Sequence, residues 1–331
     1  MVLIPVLIGI PVLLAVLMAL LKDGRIRGII VYAGAGCIMA ATLALLAGWG
    51  AGGYGRAVFF TATETVDHLM TVGEIGLMLL IVFMSVKYHK VLPAVLSVAQ
   101  TAPIVEKEHM MVDWLTVLMC VIIAFVGGFI CIYTVGYMKG YHEHHKEYKD
   151  RQPFFFSMLF LFLAAMFGLV FSQSLIWMYF FWEITSVISF LMIGYTRTEE
   201  ALENSFSALW MNLLGGLGFA AAIAVLAFTQ GSVQLSDAVS SGMMFPLACL
   251  ALAGLTKSAQ MPFSTWLFGA MVAPTPSSAL LHSATMVKAG VYLLIRIAPA
   301  LSGNIVGLMV SCIGGFTFIM ASMMAIAQND G

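Results

Sequence analysis

Long apolar stretches separated by short polar segments dominate the pattern along the chain. A membrane-spanning helix needs about 20 predominantly apolar residues. Two shorter apolar runs, 72–86 and 91–105, flank a basic turn at 87–90, and the run 244–272 is interrupted around Pro262. The runs that are long enough to span on their own are 2–21, 28–47, 111–135, 153–171, 174–194, 205–228, 277–299 and 304–326. The pattern predicts 10–11 transmembrane helices, one of them broken.

Composition agrees with a membrane protein and excludes several other classes. Hydrophobic residues make up 61% of the 331 positions and charged residues 9%, whereas soluble domains carry about 25% charged residues. We therefore expect an all-α polytopic protein in a lipid bilayer. The net charge of −1 gives no reason to expect a nucleic-acid partner. The five cysteines form no CxxC pair, so we expect no iron–sulfur or zinc site in this chain.

The distribution of lysine and arginine predicts the orientation. Basic residues favour cytoplasmic loops. Lys22, Arg25 and Arg27 place the first loop inside, and the loop 136–151 is also basic. The loop 229–243 contains no lysine or arginine and is expected outside. With 72–105 crossing twice, the N-terminus lies outside a prokaryotic cell membrane. The first run, 2–21, has no cleavage site and is expected to be a retained helix.

Three ionisable residues lie deep in apolar runs: Glu183, Lys257 and Lys288. A charge at the centre of a membrane helix costs roughly 2.5–3.5 kcal/mol, so such residues normally face a bundle interior or cavity and pair with one another. We expect an ionised Glu183–Lys257 pair, with Lys288 neutral or separately solvated. A lysine without a partner in such a place has its pKa lowered, which makes it able to take up and release a proton. The alternative is that these charges merely hold helices together.

The interruption at Pro262 lies shortly after Lys257. Proline breaks a helix, and broken helices in membranes are tolerated beside cavities or other helices. This arrangement is typical of transporters, and a simple proline kink is the alternative. His282, six residues before Lys288, is either part of a water-bridged proton relay or a hydrogen-bonded core histidine.

Two further groups of polar residues are expected to be structural. The histidines at 142–145 lie in a charged loop, and we expect them to be solvated without a bound metal. Arg296, near a helix end, is expected to extend to the membrane interface.

Three segments carry a family resemblance: 113–138, "FFWEITSVISFLMIGY" at 180–195, and 254–296, which contains "GLTKSAQMPF" and "APTPSSALLHSATMVKAG". Together they resemble the antiporter-like membrane subunits of respiratory complex I, Mrp antiporters and group 4 energy-converting hydrogenases. The resemblance extends from about residue 110 to the last residue. The form "PFSTWLFGAM" favours the hydrogenase branch.

The resemblance implies an ion-translocation site. Glu183 matches the family's glutamate of the translocation pair, Lys257 its lysine on the broken helix, and His282 and Lys288 the relay positions. These residues would move protons, or sodium ions, through linked half-channels. In the redox members, electron transfer in a peripheral arm drives the pumping. The nickel–iron and iron–sulfur groups would then belong to partner subunits, with no cofactor in this chain.

Two departures from the family pattern affect the domain organisation. Residues 48–110 hold an apparent extra hairpin, and the chain contains the first of two inverted five-helix repeats, at 153–299. We divide it into N-terminal helices (1–110), a helix with a cytoplasmic loop (111–152), the translocation repeat (153–299) and the start of a second half (300–331). Either the gene is split or the sequence is a fragment, since one half-channel cannot connect both sides of the membrane.

Three functional hypotheses follow. The first is a proton- or sodium-translocating subunit of a redox complex, an energy-converting hydrogenase or complex I-like NADH dehydrogenase. It would not transfer electrons itself, and its partners would be other antiporter-like and small membrane subunits and a peripheral hydrogenase or dehydrogenase arm. The second is an Mrp-type cation/proton antiporter subunit without redox chemistry. The third is a membrane scaffold that no longer transports.

Overall fold

The computed structural model describes residues 3–53, 57–61, 64–100 and 109–326. Its helices in the first half are α1 Leu3–Leu20, α2 Gly24–Ala51, α3 Glu64–Lys87, α4 Val91–Gln100, α5 Trp114–His144, α6 Gln152–Phe171 and α7 Leu175–Ile193. Those in the second half are α8 Glu199–Gln230, α9 Leu235–Ser241, α10 Met244–Lys257, α11 Thr265–Gly269, α12 Thr275–Ser278, α13 Met286–Leu301 and α14 Ile305–Ile326.

The chain is an all-α, multi-pass membrane protein. Nine helical segments within the described residues are long and apolar enough to cross a membrane, and α4 and α10 are shorter apolar helices. Over the described residues, every apolar run that the sequence pattern identified overlaps one of these helices, and residues 101–105 of the run 91–105 lie outside that description. The predicted fold class is confirmed.

Helices α6 and α7 form the centre of the bundle. In each, 83% of the most apolar window is buried by the rest of the protein. A helix that is apolar around its whole circumference is expected in such a position. Helices α1, α5 and α13 pack against α6, and α8 packs against α7. The central position of α7 matters because this helix carries Glu183.

The hairpin formed by α3 and α4 covers one side of this centre. Its two helices pack on each other, α4 also packs on α8, and α3 contacts α7. The basic turn between them contains Lys90, which lies 3.9 Å from Glu203 of α8. The extra hairpin predicted from the sequence is therefore attached to the helices that surround Glu183.

A two-stranded antiparallel β-sheet accompanies the helical hairpin and was not predicted. Strand β1, Ala57–Thr61, pairs antiparallel with strand β2, His109–Val112, with a register shift between Val58 and Phe60. The two strands lie on either side of the α3–α4 segment in the sequence. Their pairing joins a segment before α3 to a segment after α4.

Several helices are longer than the sequence pattern predicted. Helix α5 continues beyond residue 135 to His144, where Tyr137 stacks on Tyr141 and Tyr141 on His145. Helix α2 begins at Gly24, because the Asp23 carboxylate caps it by accepting from two backbone N–H groups. Polar residues near a helix end were assigned to loops, although side-chain stacking and capping keep them helical.

The predicted helix 277–299 is not continuous. It consists of α12, a π-helical segment Ala279–Ala284, and α13 from Met286. Thr285, between the last two, has φ −142° and ψ −60° and leaves the helical conformation. π-Helical segments within helices are frequent at functional sites. The sequence pattern predicted that His282 and Lys288 lie on one regular helix, and in the structure they do not.

Candidate functional site

Glu183 lies inside the bundle, midway along α7. The residue is 4% exposed, and its carboxylate oxygen Oε2 accepts a hydrogen bond of 3.0 Å from the Gln100 side-chain amide. The other carboxylate oxygen, Oε1, has no hydrogen-bond partner among the described residues. A buried polar atom without a partner is costly and marks a candidate functional group.

Lys257 is the last residue of α10 and is fully buried. Its Nζ donates to the backbone oxygen of Trp182 at 3.0 Å and to the Ser186 hydroxyl at 2.8 Å. The ammonium also lies 4.9 Å from the centre of the Trp182 ring, which suits a cation–π contact. The carboxyl end of a helix favours a cation as well.

The expected direct ion pair between Glu183 and Lys257 is absent. Of the ion pairs with N–O distances within 4.0 Å that the described residues form, none joins these two. Lys257 bonds instead to the residue before Glu183 and to one a turn later, while the Glu183 carboxylate contacts Gln100 and α8. The two side chains nevertheless lie within electrostatic reach of each other.

The predicted break in the helix lies directly after Lys257. Residues 258–264 are non-helical, with a cis peptide bond between Met261 and Pro262. Protein groups satisfy the backbone here: the Trp266 ring N–H donates to the Thr256 oxygen at 3.1 Å, and the Met261 N–H to the Thr317 hydroxyl at 3.0 Å. Irregular backbone at membrane depth requires such partners. The broken helix is confirmed.

Lys288 lies in the first turn of α13 and is partly buried. The carbonyl of the preceding Val287 accepts a hydrogen bond of 3.1 Å from the hydroxyl of Ser258, the residue after Lys257. Helices α10 and α13 approach closely here, since a side chain at Gly254 would lie 3.1 Å from the Gly290 oxygen. The backbones beside the two lysines are thus in contact.

His282 lies on the π-helical segment and is partly buried. Neither of its ring nitrogens has a hydrogen-bond partner in the described part of the chain. The interpretation as an ordinary hydrogen-bonded core histidine is therefore not supported. Its role in a relay stays a prediction.

Several residues that surround Glu183 were not predicted from the sequence. Gln100 bonds to Glu183, and Gly216 of α8 lies against its carboxylate. Glu74 of α3 is buried, and its charge acts on Glu183 and Tyr179. Glu74 had a signal that was overlooked, because it is another acid inside an apolar run. No local pattern distinguished Gln100 or Gly216.

Arg296 has a partner that was not predicted. Its guanidinium forms a bidentate ion pair with Asp113, just before α5, and it also bonds to Thr116 and Tyr292. Burial alone would raise the pKa of Asp113, but hydrogen bonds from Arg296 and Thr116 outweigh it, and the pKa lies below its usual value. The partner is distant in sequence, and the extension of Arg296 to the membrane interface stays a prediction.

Two family models match the chain. Residues 172–331 match the family described as "NADH:quinone oxidoreductase/Mrp antiporter, TM", and residues 108–149 match "NADH-Ubiquinone oxidoreductase (complex I), chain 5 N-terminus". The first match contains Glu183, Lys257, His282 and Lys288.

Individual relatives of this chain are named as antiporter subunits. The chain is 34% identical over 229 residues to the "Na(+)/H(+) antiporter subunit A1" of Staphylococcus haemolyticus, and 36% over 228 residues to the "Putative antiporter subunit mnhA2" of Staphylococcus aureus. Each match covers 66% of this chain, which spans 27% and 28% of the length of these relatives. The fold is similar to a chain in the Mrp complex from Dietzia sp. DQ12-45-1b, with a TM-score of 0.68, 24% identity, and coverage of 93% of this chain and 29% of that one.

The fold and the buried charges define a multi-pass membrane protein with ionisable groups inside its helix bundle. The chain belongs to the antiporter-like membrane subunits of the complex I and Mrp antiporter superfamily. The relatives named here do not support the preference for the hydrogenase branch, and they favour the antiporter alternative.

Proposed function

We propose that this chain forms an ion-conducting half-channel of an Mrp-type cation/proton antiporter. The observation that carries the proposal is Lys257, fully buried at the broken end of α10 and hydrogen-bonded to the helix that carries Glu183. The name of the Staphylococcus haemolyticus relative supports sodium as the exchanged cation.

Lys257 is the proposed proton carrier. It sits where α10 ends, so water reaching the non-helical residues 258–264 would deliver a proton to its amine. Its two protein acceptors on α7 hold the ammonium form, and the absence of a contacting carboxylate leaves the proton releasable.

Lys288 and His282 are the proposed next groups. The Ser258–Val287 hydrogen bond brings the start of α13 to the end of α10, so a proton leaving Lys257 has a short path towards Lys288. The two unpartnered ring nitrogens of His282 can take part in a water-bridged transfer. The charge on Glu183 would set how tightly Lys257 holds its proton.

The driving force would be an existing ion gradient. Moving one charge against 100 mV costs about 2.3 kcal/mol, which the entry of the counter-transported ion must supply. A matching half-channel and the other membrane subunits would come from outside the residues described here, in the membrane of a prokaryotic cell.

The second candidate is a redox-driven pump of the hydrogenase or complex I-like type. The observation that favours it is the motif "PFSTWLFGAM" at 262–271. The same residues would move protons, and a peripheral arm with its own metal centres would drive them.

Purification of the native membrane assembly through a tag on this chain, followed by mass spectrometry, separates the candidates. We expect other antiporter-like and small membrane proteins to co-purify. Recovery of hydrogenase or dehydrogenase subunits would reject the antiporter proposal in favour of the redox-driven pump.

A further inference from the structure

The contact between Glu183 and Gln100 leaves two oxygens without a donor. The Gln100 amide nitrogen donates to Glu183 Oε2 at 3.0 Å. Both side chains are buried, at 3% exposure for Gln100 and 4% for Glu183. Glu183 Oε1 and Gln100 Oε1 each lack a hydrogen-bond partner among the residues that the structure describes.

These two oxygens lie against the same point of α8. A side chain at Gly216 would place its Cβ 2.5 Å from Glu183 Oε1 and 2.8 Å from Gln100 Oε1. Glycine therefore allows the carboxyl and amide groups to meet beside the α8 backbone. Tyr179 fixes Gln100 from the other side, because its hydroxyl donates to the Gln100 backbone oxygen at 3.2 Å.

An ionised Glu183 fits this arrangement poorly. Glu183 Oε1 and Gln100 Oε1 would then be two buried acceptor oxygens beside the same point of α8, neither with a donor among the described residues, at the cost that unpaired buried polar atoms carry. One proton on Glu183 Oε1 removes the problem for both atoms, because it would be donated to Gln100 Oε1. The two groups would then form a closed amide–carboxylic acid pair with two hydrogen bonds.

The charged groups around Glu183 act in opposite directions: Glu74 favours the neutral carboxyl, whereas Lys257 favours the ionised carboxylate but makes no direct contact with it. The acid that faces Glu183 from α3 is Glu74, and like charges repel. The base is Lys257 of α10, whose ammonium donates to Trp182 and Ser186 instead. Helix α6 and the part of α8 after Glu203 have no charged residue in their sequences.

We infer that Gln100 is a positioning residue that holds Glu183 in its protonated, neutral form through this two-bond pair. The effect of this pair on ion transport rests on the proposed function. Glu183 has two alternative states, neutral when paired with Gln100 and ionised when it acts on the charge of Lys257. The α3–α4 hairpin, through Gln100, would then determine when Lys257 gains an anionic neighbour.

Infrared difference spectroscopy of the chain in its native membrane assembly tests this inference. We expect a protonated-carboxyl C=O band at neutral pH that disappears in Glu183→Gln and persists in Glu74→Gln, which assigns it to Glu183. In Gln100→Leu the band should leave its wild-type frequency, because the carboxyl loses both hydrogen bonds. Gly216→Ala, which pushes the two oxygens apart while keeping the amide, should move the band as well.

Two results would overturn the inference: no protonated-carboxyl band from Glu183 in the wild-type protein, or the same band at an unchanged frequency in both Gln100→Leu and Gly216→Ala. A carboxylate band that shifts on addition of sodium chloride would point to a cation between the oxygens and would also reject it. The band reports protonation whether or not ions are transported. A transport-active Glu183→Gln variant would therefore reject the role of Glu183 in the proposed function and leave this inference standing.

Discussion

At the scale of single residues, the buried Lys257 ammonium is solvated by a backbone oxygen and a hydroxyl of α7. A lysine paired directly with a carboxylate at this depth would be held strongly in its charged form. Separation from Glu183 leaves Lys257 responsive to changes in its surroundings. We therefore expect the charge state of Lys257 to depend on small movements between α7 and α10. A direct ion pair would resist such a change.

The sequence was sufficient to identify the residue types at this site and insufficient for their contacts. Glu183 and Lys257 stand out because charges are costly in apolar helices. Their hydrogen-bond partners depend on the rotation of α7 against α4, α8 and α10, which no local pattern encodes. Asp113 and Arg296 show the same limit, since they are far apart in the chain.

We predict that Asp113→Asn destabilises the protein by about 1–3 kcal/mol, because it leaves the partly buried Arg296 guanidinium without its anion. Glu203→Gln, which breaks the exposed pair with Lys90, should cost about 0–1 kcal/mol. Thermal unfolding in detergent compares the two. Equal effects would contradict the assignment of Asp113–Arg296 as a structural ion pair.

The Asp113 contribution should also depend on pH. Its pKa is lowered in the folded protein, so its stabilisation is present above the unfolded-state pKa and is lost as the pH falls through the folded-state value. The stability difference between wild type and Asp113→Asn should shrink in acid. A difference that grows in acid would show that the pH dependence of stability comes mainly from another group.

At the scale of elements, the break after α10 and the start of α13 form one packed junction. Pro262 and the loss of apolar regularity identified the break from the sequence. The π-helical segment at Ala279–Ala284 was not predictable, because its residues are compatible with a regular helix. The two-stranded β-sheet and the longer α5 likewise depend on contacts that no local sequence pattern encodes.

We predict that Gly290→Ala separates this junction. The added methyl group would overlap with the Ser258 hydroxyl and the Gly254 oxygen and lie 2.9 Å from the Ser258 nitrogen. Backbone atoms cannot move aside cheaply, so a loss of about 1–3 kcal/mol in stability is expected, together with reduced transport. Gly314→Ala is the matched control, since nothing lies within 4 Å of its new methyl group. Wild-type stability and transport in Gly290→Ala would refute the close packing.

At the scale of the whole molecule, the described chain provides one bundle built around α6 and α7, and it spans about a quarter of its curated relatives. The division at residues 110, 152 and 299 stays a prediction. The orientation in the membrane, with the N-terminus outside, also follows from the distribution of basic residues alone.

Cysteine labelling tests this orientation. In a background without the five native cysteines, Lys146→Cys in the basic loop should react with an impermeant maleimide in inside-out vesicles. Ser240→Cys, in the segment without lysine or arginine, should react in right-side-out vesicles. The reverse pattern would place the N-terminus inside.

The most direct test of the central claim is cation/proton exchange by the assembled Lys257→Ala complex, measured as sodium-induced proton movement in inside-out vesicles. Loss of the buried proton carrier should lower the exchange rate by about tenfold or more, equivalent to about 1.4 kcal/mol or more in the barrier. Lys139→Ala, near the C-terminal end of α5, should exchange at the wild-type rate. Wild-type exchange by an assembled Lys257→Ala complex would contradict the assignment of this buried lysine as the proton carrier.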